Sequence, residues 1–216
     1  MNKVNLINGT EIFVKTVLGD DSSGHDWWHI HRVRTLALLI AETEGADLFV
    51  VEMAALLHDV DDWKIAGTDS TEQKSRDWLT KNGVTKSITD KICNVIDGVS
   101  FKGAKVSTLT NDLECAALQD ADRLDAMGAI GIARTFAFGG SRGRALFDPG
   151  ISPVMHTNFE DYKKSKGPTI NHFYEKLLLL KDLMQTDTGR ALALQRHEYM
   201  LRFLDQFYAE WNDPDF

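Results

Sequence analysis

The sequence predicts an all-α fold. Alternation of apolar and polar residues with β-branched enrichment is not sustained anywhere, so strands have no support. Apolar residues recur instead at helical spacing, and glycines punctuate the segments between. Only four prolines occur, and three of them fall between 149 and 168, which leaves long uninterrupted stretches elsewhere.

Taken in order, a first helix is expected over about residues 4–18, closed by Gly19-Asp20. A second starts after the Gly24-His25-Asp26 turn and runs to Gly45, and a third covers roughly 47–59. Helices near 69–82 and 85–98 follow, broken by Gly83 and Gly98. The segment from Asn111 to Phe138 reads as one long or kinked helix ending at Gly139-Gly140. A loop containing Gly143, Pro149, Gly150 and Pro153 comes next. Two long helices, about 169–186 and 188–211, complete the pattern, separated near Gly189. No repeat, low-complexity tract or linker divides the chain, so residues 1–216 are expected to form one domain.

Composition narrows the function. Hydrophobic residues make up 43% and charged residues 26%, ordinary for a globular core. The formal charge of −8 argues against broad binding to nucleic-acid polymer or anionic membrane. It does not argue against a small anionic substrate, because a metal and a few local cations reverse the field in one cleft. Cys93 and Cys115 form no CxxC pair, which removes zinc knuckles and disulfide scaffolds and fits a reducing cytoplasm. The opening residues carry Asn and Glu where a secretory signal needs an apolar run, and no stretch approaches the ~20 apolar residues of a membrane span. A cytoplasmic location is the expectation.

Three segments place polar residues where helical patterning asks for apolar ones. On the second helix, at ~100° per residue, His29 shares a face with Arg32, Val33, Leu36 and Ile40, whereas His31 points the opposite way. In the third, His58 falls on the face of Val51, Ala54 and Ala55, with Asp59 following directly. Asp61 and Asp62 complete a set of three carboxylates within four positions, which repel one another unless a cation intervenes. Asp122 lies with Cys115, Leu118, Ala126 and Ala129, and Asp120 on the other face. Two imidazoles and two carboxylates form a mixed N/O set suited to a divalent ion: Mn²⁺, with Mg²⁺, Co²⁺, Ni²⁺, Fe²⁺ and Zn²⁺ as alternatives.

The succession His29, His58-Asp59, Asp122 resembles the H…HD…D signature of the HD-domain superfamily of metal-dependent phosphohydrolases. The local contexts match as well: His-x-x-Arg-Val at 29–33, LLHDV at 56–60 and ADRLDA at 121–126. GAIGIAR at 128–134 and HFYEKLLLLK at 172–181 extend the similarity to a group of small bacterial HD proteins, over about four-fifths of the chain. The resemblance implies an HD-type helical bundle over about 24–140 and a C-terminal helical extension over about 168–212. It implies one divalent metal held by His29, His58, Asp59 and Asp122, with activated water attacking a phosphate ester or anhydride. The further histidines of the bimetallic cyclic-dinucleotide branch are missing, so a single ion is expected.

Other residues are weighed beside these. Asp62 and Asp61 are candidates for assisting proton transfer, with Asp62 favoured, and Lys64 for phosphate contact; a solvated acidic turn is the bland alternative. Arg142 and Arg144, in the SRGRALFDPG loop, could clamp phosphate oxygens or simply be solvated. Arg32 and Arg123 are expected first in salt bridges and next in phosphate contact. His25, His156, His172 and His197 read as structural or exposed. A nucleotide is the expected substrate, with pyrophosphohydrolase-type cleavage preferred. A metal-containing sensor module without catalysis is the first rival, and a diiron HD-type oxygenase, which needs more ligands than this set supplies, is the second.

Overall fold

A computed structural model describes residues 2–18, 26–61, 73–99, 110, 112–155 and 167–212. Among them every regular element is helical, and no helix is long and apolar enough to cross a membrane. The chain groups into two compact units that divide between Asp122 and Arg123.

The first unit is built around its third helix. Helix α1 spans Lys3–Leu18, α2 Trp27–Glu44 and α3 Leu48–Leu57. Eight of the ten residues of α3 are buried, among them Met53, Leu56 and Leu57. A helix apolar on nearly all sides belongs inside its layer, and each such side chain contributes roughly 1.5–3 kcal/mol by leaving water. Helix α4 (Lys74–Lys81) and α5 (Lys86–Val99) follow, and α6 runs over Leu113–Asp125. Tying α1 to α4, Phe13 stacks on Trp78 with ring centroids 4.2 Å apart, and Trp78 Nε1 donates to Thr10 Oγ1 at 2.8 Å. Arg34 on α2 reaches Glu11 on α1 at 3.1 Å and Glu52 on α3 at 3.0 Å. Helices α5 and α6 touch where Gly98 meets Cys115; a Cβ there would stand 2.3 Å from the sulfur.

The register of α2 is fixed at both ends. Asp26 Oδ1 accepts from the His29 N–H at 2.8 Å, an N-cap arrangement. Gly45, with φ 83°, closes the helix through its N–H to the Ala41 carbonyl. Between these caps the buried face carries His29, Ile30, Val33, Ala37, Ile40 and Ala41.

Two helices differ from the expected pattern. The segment expected as one long or kinked helix over 111–138 is two helices, α6 and α7 (Gly128–Ser141), broken at Met127, whose φ of −119° and ψ of 164° are extended. The break needs two glycines. Gly128 has φ 68°, and a Cβ at Gly131 would stand 2.2 Å from the Ala126 carbonyl oxygen. The expected helix 169–186 is a short helix α8 (Asn171–Glu175) and a 3₁₀ helix over Leu177–Leu183, parted at Lys176 with φ −145°. The buried leucines here are Leu177 and Leu180. Their three-residue spacing matches the period of a 3₁₀ helix.

The second unit is completed by α9 (Asp187–Trp211), begun by Thr186, whose hydroxyl accepts from Gly189 N at 2.8 Å. Phe136, Phe173 and Phe203 pack together, the last two rings stacked at 5.7 Å. Phe147 meets Phe207, Tyr208 and Trp211 edge-on.

Candidate metal centre

Four side chains of the first unit converge. His29 comes from the first turn of α2, His58 and Asp59 from the turn that ends α3, and Asp122 from α6. His29 Nε2 stands 3.4 Å from Asp59 Oδ2 and 3.5 Å from Asp122 Oδ1. His58 Nε2 stands 3.5 Å from Asp59 Oδ1. Ligand atoms of His29, His58 and Asp59 all lie within 4.8 Å of one another. The two imidazole rings face each other edge to face at 5.5 Å.

These distances discriminate between two kinds of contact. A charge-assisted N–H···O⁻ hydrogen bond is about 2.7–2.9 Å long, so 3.4–3.5 Å is long for direct pairing. Atoms held at ~2.1 Å from a common ion are about 3.0 Å apart at right angles and about 3.4 Å apart at the tetrahedral angle. The spacing therefore fits donors arranged around a shared cation. The chemistry agrees, because Asp59 is only 7% exposed and a buried carboxylate between imidazoles calls for positive charge.

The tautomer of His58 follows from its neighbour. Its Nδ1 lies 2.9 Å from the Ala55 carbonyl oxygen. A carbonyl only accepts, so Nδ1 carries the proton and donates. In the neutral ring Nε2 then bears the lone pair, the form a metal requires.

The remaining expected residues fall in several places. Asp61 is half-buried, and its Oδ2 accepts from the Ser75 N–H at 3.2 Å. Asp62 and Lys64 lie outside the described residues, as do His25 and His156. Arg32 is half-buried on α2, and Arg123 is buried with Nη1 donating to the Leu183 carbonyl at 2.6 Å. Arg142 and Arg144 both lie over the Phe138 ring, at 5.4 and 5.6 Å, in the second unit. His31 is exposed, its ring near those of Trp27 and Trp28. Burial, with the nearby charges of Lys176 and Arg144, pushes His172 down to about 3, so it is neutral at pH 7.

Two acidic residues were not singled out by patterning. Asp120, assigned above to the face away from Asp122, is fully buried, and Asp125 is 1% exposed. Both faces of this stretch of α6 are covered, so the inside–outside distinction that served α2 fails there. Asp125 pairs with Arg134 on α7 at 2.6 Å, across the break. The Asp–Arg partnership spans that break, which the helical period does not announce.

Comparison with known proteins bears out the HD-domain resemblance. A family model described as the HD domain matches residues 27–127. The Bacillus subtilis (strain 168) protein YpgQ is 43% identical over 196 residues, 90% of this chain and 88% of that protein. Its structure in complex with ADP has a TM-score of 0.76 at 38% identity, covering 94% of this chain and 97% of that one. A Lactobacillus plantarum protein has a TM-score of 0.83 at 41% identity, covering 96% and 97%. An HD-superfamily hydrolase from Bacillus thuringiensis has a TM-score of 0.77 at 43% identity, covering 98% and 99%. With two histidines and an aspartate of the H…HD…D signature gathered at one centre, and relatives that match nearly end to end, the chain belongs to the HD-domain superfamily, among its small bacterial members.

Proposed function

We propose that the protein is a metal-dependent phosphohydrolase that cleaves a phosphate ester or anhydride, with a nucleotide as substrate and pyrophosphohydrolase-type cleavage as the reaction. The observation that carries this reading is the gathering of His29, His58 and Asp59 within 4.8 Å of one another, with Asp122 Oδ1 3.5 Å from His29 Nε2. We assign these four as ligands of a single divalent ion, Mn²⁺ first. When bound, such an ion polarises a phosphoryl oxygen and acidifies a water for attack. The nucleotide part of the proposal is supported by YpgQ, whose structure is known in complex with ADP.

The chain's own residues do the orienting. Asp26 fixes the start of α2 and with it the direction of His29. The Ala55 carbonyl holds His58 by Nδ1 and turns Nε2 toward the centre. Arg32 sits three residues beyond His29 on the same face of α2 and is our candidate for phosphate contact; Lys64 is a second. The Arg123 guanidinium is engaged with the Leu183 carbonyl, which supports a structural role for it. We assign assistance in proton transfer to Asp62.

The test is a panel of nucleoside mono-, di- and triphosphates and generic phosphoesters with Mn²⁺, Mg²⁺, Co²⁺ and Ni²⁺, with products separated by chromatography. Metal-dependent release of pyrophosphate or phosphate is expected, and product identity gives the bond cut. Asp59→Ala and Asp122→Ala should abolish turnover and leave helix content by circular dichroism unchanged. Near-normal turnover in either variant would remove that residue from the ligand set.

A further inference from the structure

Helix α4 begins without a cap from its own preceding residue. Gln73 has φ −102° and ψ 66°, and its side chain makes no capping hydrogen bond. The N–H of Ser75, in the first turn, is one of the donors a helix leaves without an internal partner. Asp61 Oδ2 accepts it at 3.2 Å from fourteen positions earlier in the chain. Ser75 is 2% exposed, and its hydroxyl donates to the Leu57 carbonyl at 3.3 Å. Leu57 is the last residue of α3, and its carbonyl also accepts from Val60 N at 3.0 Å. One serine therefore holds both ends of the stretch from Leu57 to Asp61. Between those ends lie His58 and Asp59.

We propose that Asp61 and Ser75 are positioning residues: the Asp61 carboxylate is the N-terminal cap of α4, and Ser75 fastens the His58-Asp59 turn against that helix end. The proposal rests on reading this turn as half of the metal centre. It separates Asp61 from Asp62, the two carboxylates that sequence alone leaves side by side. The one requirement of a cap is met at Asp61, an accepting oxygen in reach of a first-turn N–H, and its negative charge at the positive end of the helix is a favourable addition. Among the described residues the Ser75 N–H is the one hydrogen-bond donor to this carboxylate. Proton transfer needs a carboxyl group that gains and loses a proton. Capping needs only an oxygen that accepts, and asparagine supplies one as well as aspartate does.

The experiment compares wild type with Asp61→Asn, Asp61→Ala and Ser75→Ala. Amide exchange at Ser75 and Arg76 is followed in metal-free protein, Mn²⁺ affinity by titration, and turnover on whichever nucleotide the wild type cleaves. Asp61→Asn is expected to stay within about threefold of wild type in all three. Asp61→Ala should speed exchange at Ser75 by roughly five- to thirtyfold, the factor that loss of a cap implies. Asp61→Ala and Ser75→Ala should each weaken Mn²⁺ binding by about tenfold or more, as loss of a group that orients a ligand does. Unchanged exchange in Asp61→Ala would overturn the proposal. So would a hundredfold loss of turnover in Asp61→Asn with exchange and Mn²⁺ affinity intact, because Asp61 would then act in the reaction itself. A wild type that binds Mn²⁺ but cleaves nothing would sink the hydrolase reading, while the exchange and affinity measurements would still decide this one.

Discussion

His29 and His31 sit two positions apart on one helix and have opposite fates, which makes them a sharp residue-scale test. Positions i and i+2 differ by about 200° around a helix axis, so a capped, regular α2 delivers one of them to the core and the other to solvent. His29 is buried against Asp59 and Asp122, and His31 is exposed beside two tryptophans. His29→Ala is expected to lose metal and activity by orders of magnitude. His31→Ala should change stability by less than ~1 kcal/mol, the usual range for substitutions away from special features. Metal content and turnover measured on both variants check this, and equal losses would mean that α2 is irregular at its start. The distinction was legible in sequence because α2 has one buried face and a cap at each end. The same reasoning put Asp120 on the face away from Asp122 but gave no sign of its burial, because its stretch of α6 is covered on both faces. It left Asp61 and Asp62 undivided, because a hydrogen bond to Ser75 from fourteen positions away has no local signature.

At the scale of elements, the pattern of helices was readable wherever a helix starts and stops on local chemistry. Helices α1, α2, α5 and α9 begin and end within a few residues of expectation. The failures are places where a long-range constraint overrides a good helical period: the break at Met127 and the 3₁₀ helix under the leucine run. Glycines carry the first of these, and they are testable against each other. A Cβ at Gly131 would collide with backbone at 2.2 Å, and backbone cannot swing aside as a flexible side chain can. Gly140, in the same helix, would meet nothing within 4 Å. Gly131→Ala is therefore expected to destabilise by about 1–3 kcal/mol or more, the range for overpacking. Gly140→Ala should be neutral or stabilise by up to ~1 kcal/mol, the helix-propensity gain of alanine. Urea midpoints at constant slope measure both, and a reversed order would show that the α6–α7 break relaxes freely.

For the whole molecule, the two units allow charge and metal effects to be assigned to one of them. Within the first unit, Glu114 joins three helices: its Oε1 accepts from Lys91 Nζ on α5 at 2.7 Å and from the Asp47 N–H before α3 at 3.2 Å. Burial pushes the Glu114 carboxyl up, and the hydrogen bonds from Lys91 and from backbone N–H groups more than offset this, holding it at about 2. A carboxyl depressed on folding contributes stability that is fully present above its unfolded value and lost as pH falls through its folded value. Glu114 should therefore leave stability intact near pH 7 and remove it progressively from about pH 4.5 toward pH 2. Glu114→Gln should flatten that part of the stability–pH curve, as read by urea unfolding at several pH values, and an unchanged slope would refute the assignment.

Metal binding should act on the same unit, because all four proposed ligands precede the division at Asp122–Arg123. An ion that binds only the folded state stabilises by mass action, about 2.7 kcal/mol at 100-fold excess over its dissociation constant. For a chain of this size that is roughly 5–10 °C in Tm. If the two units unfold separately, a single Tm is not defined and only one of two transitions should move. The tryptophans can tell which. Trp27, Trp28 and Trp78 belong to the first unit, and Trp211 to the second, where it packs on Phe147 and Phe207. A variant carrying only Trp78 should report a chelator-sensitive melt that Mn²⁺ restores. A variant carrying only Trp211 should report a melt that chelator leaves in place if the units are independent, and the same shift if they unfold together. A chelator shift seen by Trp211 and absent at Trp78 would place the ion outside the His29–His58–Asp59–Asp122 centre, and no shift at either would remove the metal from this fold's stability altogether.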